Sequence, residues 1–302
     1  MTILNKKTVS RENVLMIIFL TRRTLSLLLL TAGLVAAQPQ RIVSTAPSIT
    51  ELLYALGLGD RVVGVTRFCR YPPEAQSKPK IGDYTSPNLE AIAALRPDLV
   101  VIQTNPIHLG DRLRSLKLHV IEIDQENIAA IHKSIRALGT ATGTEPRAAQ
   151  LSDTIRDGLN NVRARVSGTP HVRMMFVIGR SPNRLDGLVV VGHASYLNDV
   201  IEIAGGENVF RDALAAYPKV SLEEVMARNP DVIVDMGDMS DTVGVTEQHK
   251  RDVVGLWDRI PTLSAVKRHR VFAVASDIYV VPGPRVTDAA RAFAEMLHPG
   301  SK

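Results

Sequence analysis

The sequence predicts an α/β protein of two similar lobes joined by one long helix, and three observations carry that reading. Short β-branched runs alternate with stretches of helical periodicity on both sides of the middle of the chain. A pattern spanning residues 88–101 recurs at 221–234. Between the halves, residues 145–166 keep apolar positions at helical spacing with no strand signal among them.

From residue 41 onward, strands are expected at 41–44, 61–66, 98–102 and 119–123, with helices at 48–56, 88–95 and 109–116 between them. Such alternation implies parallel strands with crossover helices. Ser48, Ile49, Thr50 and Glu51 have the spacing of a capping box, Pro47 lies just ahead, and Gly57 is placed to stop that helix. Strands resume at 172–178, 188–191, 231–235 and 270–274, with helices at 195–204, 222–228 and 284–297. In the middle segment Leu151, Ile155, Leu159, Val162 and Val166 recur at helical spacing. At 1.5 Å per residue that helix is roughly 30 Å long, about the width of a small domain. Gly168, Thr169 and Pro170 end it. The expected organisation is an N-terminal α/β lobe over residues 41–144, a connecting helix over 145–167 and a C-terminal α/β lobe over 168–302. Each lobe is expected to be Rossmann-like, with a parallel-type central sheet.

Of the 302 residues, 45% are hydrophobic and 22% charged, ordinary values for a globular chain. The formal charge of +5 is unevenly placed. Residues 1–37 hold Lys6, Lys7, Arg11, Arg22 and Arg23 against Glu12, a net of +4, which leaves +1 for the rest. A near-neutral body gives no electrostatic basis for nucleic-acid binding, which needs a concentrated basic face. The single Cys69 excludes an intramolecular disulfide and a Cys-cluster metal site. Arg22 and Arg23 precede the apolar run 25–35, and Val35, Ala36 and Ala37 form a small-residue cleavage pattern. The run is shorter than the roughly twenty residues that span a bilayer. Residues 1–37 therefore read as a cleavable signal peptide, with Gln38 as the mature N-terminus and export expected. Met16 is an alternative start. The residues around Arg22 and Arg23 also fit a twin-arginine signal, although an ordinary basic n-region is the favoured reading. No cysteine near the cleavage site invites a lipid anchor.

The repeat is the strongest internal signal. NLEAIAALRPDLVV at 88–101 and SLEEVMARNPDVIV at 221–234 share Leu, Glu, Ala, Pro, Asp and Val at matching positions. A weaker echo pairs Ser48 to Gly57 with Ser195 to Gly205. In both main windows a glutamate, Glu90 or Glu223, sits in the first helical turn, seven positions before a Pro-Asp step that opens a strand. An acid there complements the helix dipole whatever else it does. Two such acids at equivalent points on two lobes also suit a partner with two-fold symmetry, each meeting an arginine.

Open α/β sheets bind ligands at the carboxyl ends of their strands. Loops expected there are 45–48, 67–71, 82–86, 103–108, 179–185, 236–241 and 276–282. They gather Phe68, Tyr71, Tyr84 and Tyr279, with Tyr217 just ahead of the second repeat helix, in a chain only 4% aromatic. Aromatic faces with a few polar groups suit a large planar or ring-like ligand. Arg67, Arg70, Arg180 and Arg184 are candidates for an anionic ligand, although solvated loop arginines are commoner. The eight histidines form no paired ligand spacing. Gly192-His193-Ala194-Ser195-Tyr196 lacks a nucleophile-elbow pattern, and no catalytic residue, metal site or bound cofactor is expected. Asp235, Asp238 and Asp241 are better read as a solvated loop than as a cation site, and Cys69 as a buried, inert thiol.

Several stretches, in order, resemble the periplasmic cobalamin and iron-chelate binding proteins of ABC importers: RIVSTAPSITELLYALGLGDRVVGV, YPPEAQSKPKIGDYTSPNLEAIAALRPDLVV, AGGENVF, YPKVSLEEVMARNPDVIV and PGPRV. The resemblance covers about residues 41–298. It implies two α/β lobes bridged by one helix, ligand in the cleft between them, and a periplasmic location. It also implies that Glu90 and Glu223 pair with arginines on the two permease subunits. The Tyr-Pro-Pro segment is most similar to the cobalamin branch. By that resemblance Phe68, Tyr84 and Tyr217 surround a corrin ring and Asp277 contributes, although an arginine of the family is replaced in the stretch 278–281; Tyr279, from its loop, is a further ligand candidate. The expected function is a non-enzymatic, extracytoplasmic substrate-binding subunit, monomeric when free. It captures cobalamin or a related corrinoid and delivers it to an ABC permease dimer with its ATPase subunits. Haem or an iron-siderophore is the alternative ligand class. A secreted α/β enzyme is the alternative of another kind.

Overall fold

The computed structural model describes residues 38–104, 108–237 and 246–301. The signal-peptide reading of residues 1–37, part of the 103–108 loop, and Asp238 and Asp241 lie outside the described residues.

The N-terminal lobe is built as its alternating pattern requires. Strands β1 (Ile42–Ser44), β2 (Val62–Gly64), β3 (Leu99–Gln103) and β4 (Val120–Ile123) form one parallel sheet in the order β2-β1-β3-β4. Its helices are α1 (Pro47–Ala55), α2 (Leu89–Ala94), α3 (Leu109–Ser115) and α4 (Ile128–Thr142). Helix α4 is absent from the expected elements. Its signals are nevertheless ordinary: Asn127 caps it, Ile131, Ile135 and Leu138 face the core, and Gly143 ends it in a left-handed conformation.

The connecting helix α5 runs over Glu145–Arg165 as the spacing predicts. The C-terminal lobe then contributes β5 (Val172–Gly179), β6 (Leu188–Val190), α6 (Tyr196–Ile203), β7 (Gly206–Asn208), β8 (Lys219–Val220) and α7 (Leu222–Arg228). It is completed by β9 (Val232–Asp235), α8 (Glu247–Trp257), α9 (Ser264–Lys267), β10 (Val271–Ala273) and α10 (Val286–Leu297). The order is β10-β9-β5-β6-β8, with β7 also on β5. Strands β5, β9 and β10 are parallel as expected and β7 adds a parallel strand where none was expected, but β6 is antiparallel to both β5 and β8. The reason is length. The link from Gly179 to Leu188 is too short for a crossover, so the chain returns as a hairpin.

The two lobes share one core. A single apolar cluster runs from Ile42 and Leu52, through Leu138 and Ala148, along Ile155, Leu159 and Val162 of α5, to Phe176 and Phe293. Two glycines set the close approach of the helices. A Cβ on Gly139 of α4 would lie 2.5 Å from the Ala148 Cβ, and one on Gly158 of α5 would lie 2.6 Å from Thr287 of α10. Helix α5 is thus wedged against the first lobe at one end and the second at the other. Among the described residues, no helix is long and apolar enough to cross a membrane.

The expected capping box at Ser48–Glu51 does not form. Helix α1 starts at Pro47 with Ala46 as N-cap and no side-chain cap, while Gly57 ends it with φ of 75° as anticipated. Ser48 and Glu51 are buried and turned to other work at the lobe junction.

Candidate functional site

The junction is polar. Ser48 donates to Gln125 Oε1 at 2.7 Å, Gln103 Nε2 reaches the same oxygen at 2.7 Å, and Gln125 Nε2 donates to the Pro282 carbonyl of the other lobe at 2.7 Å. The Ile128 amide donates to Asp199 Oδ2 at 3.0 Å, which ties the start of α4 to α6. At the centre, Arg285 at the head of α10 forks onto Glu51 of α1 through Nε, at 3.0 Å, and Nη2, while Nη1 donates to Asp277 at 2.9 Å. Its guanidinium lies 4.2 Å from the centroid of the Tyr71 ring. Glu51 is 3% exposed. Burial pushes its carboxyl above the ordinary value in spite of Arg285. Desolvation works against the charge on Arg285, yet its two carboxylate partners hold it above its usual value.

Around this centre the exposed aromatics collect. Phe68, Tyr71, Tyr84 and Tyr217 are the exposed aromatic residues among those described, each 40–45% accessible. Phe68, Tyr71 and Tyr84 belong to the loops singled out from sequence, and Tyr217 stands just ahead of α7 as noted there. Arg67 places its guanidinium 4.9 Å from the Phe68 ring centroid and bridges to Asp83 at 2.9 Å. The Arg67 amide also bonds the Gly82 carbonyl, so the loops bearing Phe68 and Tyr84 are joined. Asp83 accepts from the Ser86 amide and the Thr85 hydroxyl, which hold its carboxyl below the ordinary value. From the opposite lobe, Tyr217 shares a 3.2 Å hydrogen bond with Ser195 Oγ. Desolvation raises the Tyr217 hydroxyl, and Tyr84 lies near enough to raise it further. Tyr71 on Arg285, and Tyr84 near Tyr217, thus bring rings of the two lobes close to one another at the junction. A hollow of about 700 Å³ lined by His132, Arg136 and Arg156 lies elsewhere, between α4 and α5.

Two sequence-based candidates are committed differently. Tyr279 is 6% exposed, its ring stacked on Phe293 at 5.4 Å and edge-on to Phe176 at 6.0 Å, so it packs the core and presents no face to a ligand. Arg180 is buried against Asp235 at 3.0 Å, and that carboxylate also accepts from Trp257 Nε1 at 2.7 Å. The pair is satisfied internally. Asp277 remains at the junction, part-exposed and bonded to Arg285. Cys69 is buried between Thr50 and Thr66, each 3.1 Å from its sulfur, and burial raises its thiol, as expected of an inert cysteine. The residue sequence reasoning missed is Arg285. It stands in the PGPRV stretch, but its partner Glu51 is 234 positions away and no local pattern links them.

Glu90 and Glu223 occupy the first turns of α2 and α7. Asn88 caps α2 by accepting from the Ala91 amide, and a full capping box between Ser221 and Glu224 starts α7. The cap needs of both helices are met by these neighbours. Both glutamates are exposed, and neither has an ion pair or side-chain hydrogen bond among the described residues.

Two α/β lobes sharing a wedge helix, with aromatics converging from both, define a two-lobed ligand-capture protein. The profile of the periplasmic binding protein family matches residues 42–278, and the chain belongs to that family. An uncharacterized ABC transporter substrate-binding lipoprotein of Bacillus subtilis is 31% identical over 270 residues, covering 87% of this chain and 81% of its own. The crystal structure of the periplasmic vitamin B12 binding protein BtuF of Vibrio cholerae superposes with a TM-score of 0.72 at 26% identity, over 86% of this chain and 97% of that one. The periplasmic heme-binding protein RhuT of Roseiflexus sp. RS-1 is similar at a TM-score of 0.70 and 26% identity, over 86% and 99% of the two chains.

Proposed function

We propose that this chain is the extracytoplasmic substrate-binding subunit of an ABC importer. It captures cobalamin or a related corrinoid between its lobes and delivers it to a permease dimer energised by ATPase subunits. The observation that supports the ligand class is the set of four exposed rings, Phe68, Tyr71 and Tyr84 on one lobe and Tyr217 on the other, with Tyr71 on Arg285 and Tyr84 near Tyr217. Exposed aromatic surface is costly in water and is repaid by a large flat ligand. The similarity to a vitamin B12 binding protein supports the same reading.

The continuous core through α5 and the polar ties at Arg285 and Gln125 favour a small hinge over wide closure. Docking is assigned to Glu90 and Glu223. They are exposed and unpaired among the described residues, one on each lobe, as two equivalent permease subunits require. Haem is the second reading, favoured by the similarity to a heme-binding protein of equal identity.

Isothermal titration calorimetry of residues 38–302 with cyanocobalamin tests the ligand. One-to-one binding at roughly micromolar affinity or tighter, near −8 kcal/mol, is expected. Absence of binding, together with a hemin titration that builds a one-to-one absorption band, overturns corrinoid in favour of haem.

A further inference from the structure

The sequence repeat has a structural counterpart beyond the two glutamates. In the N-terminal lobe, Arg41 stands one residue before Ile42, which pairs with Leu99. Its Nη2 donates to the Leu95 carbonyl at 2.7 Å, and its Nε to the Leu95 and Arg96 carbonyls at 3.1 and 3.2 Å. In the C-terminal lobe, Arg173 stands one residue before Met174, which pairs with Val232. Its Nη2 donates to the Arg228 carbonyl at 2.6 Å and its Nη1 to the Asn229 carbonyl at 3.2 Å.

These contacts correspond one to one. In the aligned windows Leu95 matches Arg228, and Arg96 matches Asn229. The second member of each pair is left-handed, with φ of 47° at Arg96 and 45° at Asn229. Each arginine thus forks onto the open carbonyls at the end of a very short helix, α2 or α7, whose first turn holds Glu90 or Glu223. A guanidinium there satisfies orphan acceptors and opposes the negative end of the helix dipole. Helices of six and seven residues have little cooperative stability of their own. Ile92 and Val225 pin one face of each helix to the core, and the ends are held by a side-chain cap in front and by an arginine beside the neighbouring strand behind.

We infer that Arg41 and Arg173 are positioning residues for docking, a pseudo-symmetric pair of clamps that aim Glu90 and Glu223 at the two halves of the permease. The inference rests on the docking role proposed for the two glutamates. Neither arginine belongs to the aromatic junction, so the clamps act on partner binding and leave ligand capture alone.

The test is a double-mutant cycle. Affinity for the source bacterium's own permease–ATPase complex in lipid nanodiscs is measured for wild type, Arg41→Ala, Glu90→Ala and the double variant. Cyanocobalamin affinity is measured alongside, and hemin affinity if cyanocobalamin does not bind. Arg41→Ala is expected to weaken docking about fivefold, the scale of one hydrogen-bonding group lost. It should weaken docking by less than about twofold once Glu90 is already alanine, because the two changes act on one contact. Arg41→Lys, which keeps one cationic donor, should fall between wild type and Arg41→Ala. Arg173 with Glu223 should behave alike. Wild-type docking by Arg41→Ala, or an equal loss with and without Glu90, overturns the inference. A parallel loss of ligand affinity does so too, since it marks a merely structural role. Wild-type docking by both Glu90→Ala and Glu223→Ala overturns the docking reading itself, a separate result.

Discussion

The two lobes agree where they would meet a partner and differ where they would meet a ligand. Both carry a short helix with an acid in its first turn, a left-handed residue at its end, an arginine on its terminal carbonyls and a Pro-Asp step into a strand. Around the junction the likeness stops. The N-terminal lobe has a four-stranded parallel sheet and contributes Phe68, Tyr71 and Tyr84. The C-terminal lobe has a six-stranded sheet with an antiparallel edge and contributes Tyr217, Asp277 and Arg285. A permease of two equivalent subunits rewards duplication, whereas a ligand without symmetry rewards divergence. On the proposed function, repeated and unrepeated features sort by what they would face.

The largest expected effect comes from the residue that joins the lobes. Arg285→Ala leaves the buried Glu51 carboxylate unpaired, and breaking a buried pair from one side typically costs about 3–5 kcal/mol. Because the core is continuous, thermal unfolding should remain one transition at a lower midpoint. Two separate transitions would show that the lobes fold independently and that the shared core has been misread.

Next in size is docking. Glu90→Ala and Glu223→Ala should each weaken permease binding by about 1–3 kcal/mol with ligand affinity within about threefold of wild type. Similar losses would sharpen the comparison. A loss confined to one lobe would break the symmetry argued from the repeat. Tyr84→Ala and Tyr217→Ala should do the reverse. Each should lower corrinoid affinity by about 1–2 kcal/mol in calorimetry, with permease binding intact. If only the tyrosine of one lobe mattered, the ligand would belong to that lobe alone.

The smallest effect expected is a pH dependence of the N-terminal lobe's rim. Asp83 is held below the ordinary value of 3.8 by the Ser86 amide, the Thr85 hydroxyl and the Arg67 charge. A group depressed on folding adds stability above its unfolded value, and that stability is lost as pH falls through the folded one. The stability that Asp83 contributes should stay level from neutral pH down to about 4 and be lost only below that, after the raised Glu51 carboxyl has already titrated. In thermal melts, Asp83→Asn should remove only the part of the decline below about pH 4, and a decline there that is unchanged in the variant would point to another group.

Much of this was legible from sequence because it is local. Period and punctuation marked the strands and the wedge helix, and the repeat marked Glu90 and Glu223 without any partner in view. The junction was not legible, because its contacts join residues that no short pattern connects. Glu51 had the spacing of a capping box, yet Ala46 and Pro47 open that helix and the carboxylate turns inward to Arg285. Tyr279 had the composition of a binding loop, yet the space beside Phe176 and Phe293 claimed its ring. Arg180 had the setting of a solvated loop arginine or an anion contact, yet it is buried against Asp235.

By itself, then, the sequence determined the α/β class, the single long connection and the duplicated acid-bearing helices, since periodicity, turn residues and repeats act over a few neighbours. Only the tertiary structure decided which aromatics stay exposed and which acids are already paired. Those outcomes depend on burial and on partners up to 234 residues away, where one packing choice excludes another.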